Sequence, residues 1–212
     1  MKLDKMLEQF ECTCLQGDVH ISVTELVYDS RKTTRDCVFV CISGAVYDGH
    51  DYIGEVAAKG AAAIVIDRDA PYPEGITVIR TDNTRHALAC MSAAYFGHPA
   101  GRLITIGVTG TKGKTTTAYM IRSILEETGH RTGLIGTIET IIGDEHIPSG
   151  NTTPESYVLQ QTFARMADAG CEYVVMEASS QGFMLHRTDG FIFDYGIFTN
   201  IAPDHIGANE HK

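Results

Sequence analysis

The chain has 212 residues, 43% of them hydrophobic and 21% charged, with only 6 prolines, which excludes a disordered tail and leaves room for one large domain or two small ones. Its 17 basic residues against 27 acidic give a net charge of −10 with no Lys/Arg block, so nucleic-acid binding is not expected. Any polyanion must then be held by a local device: backbone N–H groups, one or two cations, or a divalent metal. No stretch reaches the roughly 18–20 apolar residues of a membrane span and the start, MKLDKMLEQFECTC, has no apolar signal core, so a cytoplasmic protein without a membrane partner is expected.

In chain order, CVFVCI (37–42), AAIVID (62–67) and ITVIR (76–80) read as strands, and DYIGEVAAKG (51–60) as a helix closed by Gly60. A second helix runs from about Asn83 to Phe96, with Leu88, Met91 and Tyr95 on one face. Gly97–Arg102 marks the expected domain boundary, giving domains of 1–99 and 100–212. Beyond it LITIGV (103–108) is a strand, followed by a Gly/Thr turn and a helix from Lys114 to Gly129, in which Ala118, Ile121, Ile124 and Leu125 recur at helical spacing. The extended run LIGTIETII (134–142) leads into a hairpin turn at Gly143-Asp144. A helix then spans Pro154 to Ala169, with Thr153 as its N-cap and Gly170 as its stop. YVVMEA (173–178) and DYGIFTN (194–200) read as strands. This alternation predicts an α/β protein: a small N-terminal α/β domain, then a mainly parallel sheet of phosphate-loop type with helices on both faces.

The six cysteines lack the second pair that a structural zinc site needs, and a chain of this size does not depend on disulfides, so reduced thiols are expected.

In open parallel sheets ligands bind beyond the carboxyl ends of strands, which directs attention to the residues after 108, 178 and 200. The first of these segments is Thr109-Gly110-Thr111-Lys112-Gly113-Lys114-Thr115-Thr116. Its glycines free the backbone to point N–H groups inward, Lys114 can reach β- and γ-phosphates, and Thr115 can ligate Mg²⁺ at the positive end of a helix. The strict G-x-x-x-x-G-K-[ST] pattern fails because Val108 stands where the first glycine belongs, and a flexible loop with a solvated lysine is the alternative. The second segment offers Glu177 and the third His205, which could meet beside the loop at a divalent cation.

GVTGTKGKTTT (107–117), NTTPE (151–155), MEASSQGFMLHR (176–187) and FTNIAPDHIG (198–207), in this order, resemble the Mur ligase family, and Tyr28-Asp29-Ser30-Arg31 with Asp48-Gly49-His50 resembles its UDP-binding N-terminal domain. The resemblance is to the branch that adds the third amino acid to UDP-N-acetylmuramoyl-L-Ala-D-Glu, and NTTPE separates the chain from the branch that adds D-Ala-D-Ala. It implies an ATP- and Mg²⁺-dependent amide-bond ligase working through an acyl phosphate, acting as a monomer on the UDP-sugar dipeptide and a diamino acid. Lys114 and Gly110, Thr111, Lys112 and Gly113 would hold the ATP phosphates with Thr116 close by. Thr115 would ligate the bridging Mg²⁺, Glu177 and His205 a further Mg²⁺, and Asn200 would lie near the adenine. Asn151, Thr152, Thr153, Ser179 and Arg187 would contact the UDP-sugar peptide, while Ser30 and Ala45, Val46 and Tyr47 would face the uridine diphosphate. Gln181 departs from the family, which has His there. The family's catalytic lysine and C-terminal domain would fall beyond Lys212, so an incomplete central domain, inactive alone, is expected. Another Mur-type ligase, a different phosphate-loop enzyme such as a small kinase, and a non-catalytic nucleotide or UDP-sugar binding module stay open.

Overall fold

A computed structural model describes residues 1–203, which divide into two compact units, Met1–His98 with Asp189–Phe191, and Pro99–Thr188 with Ile192 onward. Among the described residues no helix is long and apolar enough to cross a membrane.

The first unit is built on a five-stranded sheet. Four strands run parallel, β2 (Leu26–Val27), β3 (Val38–Val40), β4 (Ala63–Ile66) and β5 (Thr77–Thr81), and β1 (Cys12–Gln16) closes one edge antiparallel to β5 in the order β1-β5-β4-β3-β2. Every residue of β3 and β4 is buried, as in sheets covered on both faces. Phe39, Ile64, Ile66 and Val78 form one core with Ile53 and Val56 of α2 (Ile53–Ala58). The helix α3 (Thr84–Tyr95) packs against β2, β3 and the short α1 (Leu3–Leu7). Asn83 caps α3, its Oδ1 accepting from the amides of Arg85 and His86.

The helix expected at 51–60 begins as a 3-10 turn, Gly49–Tyr52, and becomes α-helical only from Ile53. Asp48 causes this offset, since its carboxylate accepts from the His50 amide and caps the 3-10 turn ahead of Ile53, where the apolar face begins.

The second unit carries a six-stranded sheet in the order β11-β6-β10-β7-β8-β9. The strands β11 (Tyr195–Phe198), β6 (Ile104–Thr109), β10 (Tyr173–Glu177) and β7 (Thr132–Ile135) are parallel; β8 (Glu139–Ile142) and β9 (Glu145–Pro148) extend the sheet antiparallel. The run 134–142 is therefore two strands folded back at Gly136-Thr137-Ile138, not one extended segment. α4 (Lys114–Glu127) packs on β6, β7 and β10, burying Ala118 against Ile106, Val108, Leu134 and Val175. α5 (Ser156–Asp168) starts later than the sequence suggests: Glu155, not Thr153, is its N-cap, because the Thr153 hydroxyl is engaged elsewhere. Register sets the ends of the central strands level, with Glu177 of β10 opposite Val108 and Phe198 of β11 opposite Thr109. The chain leaves β6 into its loop at that level.

Candidate phosphate-loop site

Residues 110–113 form the loop between β6 and α4. Gly110 sits at φ +133°, where a Cβ would collide with Thr199 Oγ1 and lie 2.8 Å from the Asn200 carbonyl, so only glycine fits. Gly113 is left-handed at φ 84° and turns the chain into α4. Lys114 folds back, its Nζ donating to the carbonyls of Gly110 (2.7 Å) and Thr111 (3.4 Å).

Asn200, expected near the adenine, bonds to the loop itself. Its Oδ1 accepts from the Lys112 amide and its Nδ2 donates to the Lys112 carbonyl, both at 3.0 Å, while its own carbonyl accepts from the Thr111 amide at 3.0 Å. Thr199 adds a hydroxyl bond to the Lys112 carbonyl at 2.7 Å. Asn200 thus clamps the loop, and two amides expected on phosphates, those of Thr111 and Lys112, are committed to it. The amides at the start of α4 remain the ones a helix leaves without intrahelical partners.

Glu177 ends β10 with only 1% of its surface exposed. Its Oε2 accepts from Thr115 Oγ1 (2.9 Å) and Thr137 Oγ1 (3.1 Å), and its Oε1 from the Thr137 amide (2.8 Å). Among the described residues its side-chain partners are all neutral donors. The approach is close enough that a Cβ on Gly136 would stand 2.5 Å from Glu177 Oε1. Thr115 and Glu177, assigned from the sequence to two different cations, are therefore in direct contact, a hard-oxygen pair suited to one divalent cation of the Mg²⁺ type. His205, the other expected ligand, lies outside the described residues.

The NTTPE segment joins this network. Thr152 Oγ1 is 3.0 Å from Thr137 Oγ1. Thr153, expected on the ligand, is instead 1% exposed; its hydroxyl donates to the Glu177 carbonyl (2.9 Å) and accepts from the Ser179 amide (3.0 Å). Ser179 caps α6 (Ser180–Met184) by accepting from the Gly182 amide. Arg187 donates to the Thr153 carbonyl at 2.9 Å and lies 3.6 Å from the Glu155 carboxylate. Asn151 is exposed at the segment's start. Sequence reasoning missed Thr137, Gly136 and Glu155; a glycine interrupting an apolar extended run was the signal available for Gly136.

An open groove of about 610 Å³ begins at Thr115 and Thr116 and runs along Tyr119, Met120 and Ile124 to Ile138. The Tyr119 hydroxyl donates to Glu139 Oε1 at 2.7 Å, and burial together with that carboxylate pushes the phenol up to about 12, so it stays a donor.

Within the first unit, the Ser30 carbonyl accepts from Lys59 Nζ at 2.9 Å, and Ala45, Val46 and Tyr47 form an exposed turn. The neighbouring Asp29 is held below the usual carboxylate range by its hydrogen bonds from Arg31.

The strand, glycine loop and helix, with lysine and threonine opening the helix and a buried carboxylate off the adjacent strand, define a phosphate-loop α/β protein carrying a second α/β unit ahead of it. Family profiles agree: residues 22–96 match the Mur ligase family, catalytic domain, and residues 108–212 the Mur ligase middle domain. The chain belongs to the Mur ligase family. It is 45% identical over 206 residues to the UDP-N-acetylmuramoyl-L-alanyl-D-glutamate--2,6-diaminopimelate ligase of Clostridium perfringens, covering 97% of this chain and 43% of that protein. The ligase of the same name from Bacillus licheniformis is 43% identical over 211 residues, with 99% of this chain and 43% of the relative covered. The chain thus spans less than half the length of these relatives. In fold it is similar to a solved structure of a diaminopimelate ligase of that name (TM-score 0.80, 20% identity, 99% of this chain and 42% of the other). It is also similar to the MurF ligase of Thermotoga maritima solved with ADP (TM-score 0.57, 23% identity, 86% and 38% covered).

Proposed function

We propose that the chain supplies the UDP-sugar-binding and ATP-binding parts of a ligase that joins 2,6-diaminopimelate to UDP-N-acetylmuramoyl-L-Ala-D-Glu. The observation that carries this reading is Glu177, a buried carboxylate with only neutral partners among the described residues, touching Thr115 at the mouth of a phosphate loop. A buried charge in neutral surroundings is costly unless a cation or further hydrogen bonds compensate it. Thr115 and Glu177 would hold Mg²⁺, which when bound neutralises charge on the ATP phosphates. Lys114 would exchange its two loop carbonyls for the β- and γ-phosphate oxygens, a charge-assisted contact in place of a neutral one. Asn200 and Thr199 fix the loop so that this exchange needs no backbone rearrangement. Thr152, exposed Asn151, Ser179 and Arg187 would orient the dipeptide so that its D-Glu carboxylate attacks the γ-phosphorus of ATP. That bond forms as the bond to ADP breaks, giving an acyl phosphate; the amine of the diamino acid then displaces phosphate and loses a proton to leave the amide. No covalent protein nucleophile takes part.

The test is isothermal titration of this chain with ATP and Mg²⁺ and, separately, with UDP-N-acetylmuramoyl-L-Ala-D-Glu, beside phosphate release by a protein of its relatives' length given both and diaminopimelate. Saturable binding of both ligands and phosphate release dependent on diaminopimelate support the reading. Binding of ATP without the UDP compound favours a Mur-type ligase for a different acceptor.

A further inference from the structure

In the first unit a second polar cluster lies beyond the carboxyl ends of β3, β4 and β5, the place where open parallel sheets put their ligands. After β3 the chain makes a short loop, residues 43–48, and returns through the 3-10 turn Gly49–Tyr52. Its neck is closed by the Gly49 amide donating to the Ile42 carbonyl (2.9 Å) and by a bridge between Ser43 and Asp48; the Gly44 amide donates to the Tyr47 carbonyl (2.8 Å) at the tip. A Cβ on Gly49 would stand 2.7 Å from Ile42 N. The tip leaves Val46 80% and Tyr47 71% exposed.

Behind the neck sits buried His50. Its Nδ1 is 2.7 Å from Asp48 Oδ1 and its Nε2 is 3.3 Å from Asp67 Oδ1. The other Asp48 oxygen accepts from Ser43 Oγ (3.2 Å) and from Arg68, whose second nitrogen donates to Ser43 Oγ at 3.0 Å. Arg85 donates to the Ser43 carbonyl at 3.1 Å, and Thr84 Oγ1 to Asp67 at 2.8 Å. The loop is therefore gripped at Ser43 and Asp48 by residues that follow β4 and β5. Two carboxylates held by an arginine and a buried histidine are a costly way to hold a surface turn, because hydrophobic contacts of similar size stabilise as well or better. The exposed apolar tip gains nothing from folding either. Both features make sense if what matters is where the tip points.

We infer that His50 and Arg68 are positioning residues, holding Ser43 and Asp48 so that Val46 and Tyr47 form a fixed apolar and aromatic platform for the base of a uridine nucleotide. The identity of the ligand rests on the UDP-sugar reading given under Proposed function. Aromatic rings stack bases without hydrogen-bond readout, which suits an exposed tip that carries a tyrosine.

The experiment follows amide hydrogen exchange and UDP affinity in this chain, its Arg68→Gln and His50→Gln variants, and Arg68→Gln combined with Tyr47→Ala. Exchange at Gly44 and Gly49 should rise at least tenfold in Arg68→Gln and His50→Gln, and in Arg68→Gln Val65 and Ile79 of β4 and β5 keep their protection. Arg68 is half exposed, so its variant decides the matter alone if His50→Gln unfolds. UDP affinity should fall about tenfold in Arg68→Gln, but less than twofold when Tyr47 is already Ala, since the effect acts through the tip. An equal loss in both backgrounds, or unchanged exchange at Gly44 and Gly49, overturns the inference. If the parent chain binds no UDP, the UDP-sugar reading fails, while the exchange data still decide whether the two residues hold the loop.

Discussion

The two units place carboxylates beyond the ends of parallel strands but compensate them in opposite ways. In the first, Asp48 pairs with the Arg68 guanidinium and shares His50 with Asp67, so a permanent cation of the fold itself answers the cluster. In the second, Glu177 is more deeply buried yet among the described residues its carboxylate receives only the Thr115 hydroxyl and the hydroxyl and amide of Thr137. The contrast separates a carboxylate that shapes a loop from one whose charge is left for a ligand to answer. Burial alone would not have distinguished them; the charge of the partners does.

The comparison is broken most severely by removing the side chain that both carboxylates of the first cluster share. His50→Ala leaves Asp48 and Asp67 facing each other and should cost the first unit about 3–5 kcal/mol, the range for removing one member of a buried pair, measured by denaturant-dependent exchange at Ile79. A loss below about 1 kcal/mol would mean the cluster is not a closed pair. Lys114→Ala acts on the second unit's ligand and not on its fold: ATP affinity should drop at least tenfold, from a charge-assisted contact worth roughly 1.5–3 kcal/mol, with little change in thermal midpoint. Gly136→Ala should lower Mg²⁺-dependent ATP binding by displacing the Glu177 carboxylate, while binding without the metal persists; equal losses would show general damage to the loop.

The same contrast predicts a pH dependence in the first unit. Burial pushes the Asp48 carboxyl up, but hydrogen bonds from Arg68 and from the His50 amide and ring outweigh it and hold the group well below its ordinary 3.8. A carboxylate lowered by folding stabilises above its unfolded pKa and gives that stability up as pH falls through the folded value. The first unit should therefore weaken as pH falls below about 4, and Asp48→Asn should flatten that slope in an acid titration followed at Ile79. The smallest effect is expected for Arg102→Ala, an exposed pair with Asp168, which should stay within about 0.5 kcal/mol.

The central strands and long helices were legible because they are apolar on the right period: β3, β4, β6 and β10 are buried nearly throughout, and α3 carries Leu88 and Met91 on its inner face. β1 was missed because an exposed edge strand, CTCLQ, has no apolar pattern, and α1 because five residues carry too little period to register. The phosphate loop was visible because its residues are contiguous. Thr137 was not, since a threonine between two strands announces nothing until Glu177, 40 residues later, folds beside it. The His50 cluster was hidden for the same reason: Asp48, Asp67 and Thr84 meet only because parallel strands bring successive carboxyl ends together. The bonds that Thr153 and Asn200 make to the backbone were equally invisible in the sequence, because their partners, Glu177 and Lys112, lie 24 and 88 residues away.

The central claim is that Glu177 answers a cation shared with Thr115 and the nucleotide, and the direct measurement is ATP binding by calorimetry with and without Mg²⁺ in the parent chain and in Glu177→Gln. The account predicts that Mg²⁺ tightens ATP binding by about tenfold or more in the parent, that Glu177→Gln abolishes this gain, and that metal-free binding and stability are unchanged or slightly improved because an uncompensated buried charge has been removed. An undiminished Mg²⁺ effect in Glu177→Gln, or a marked loss of stability without the metal, would contradict it.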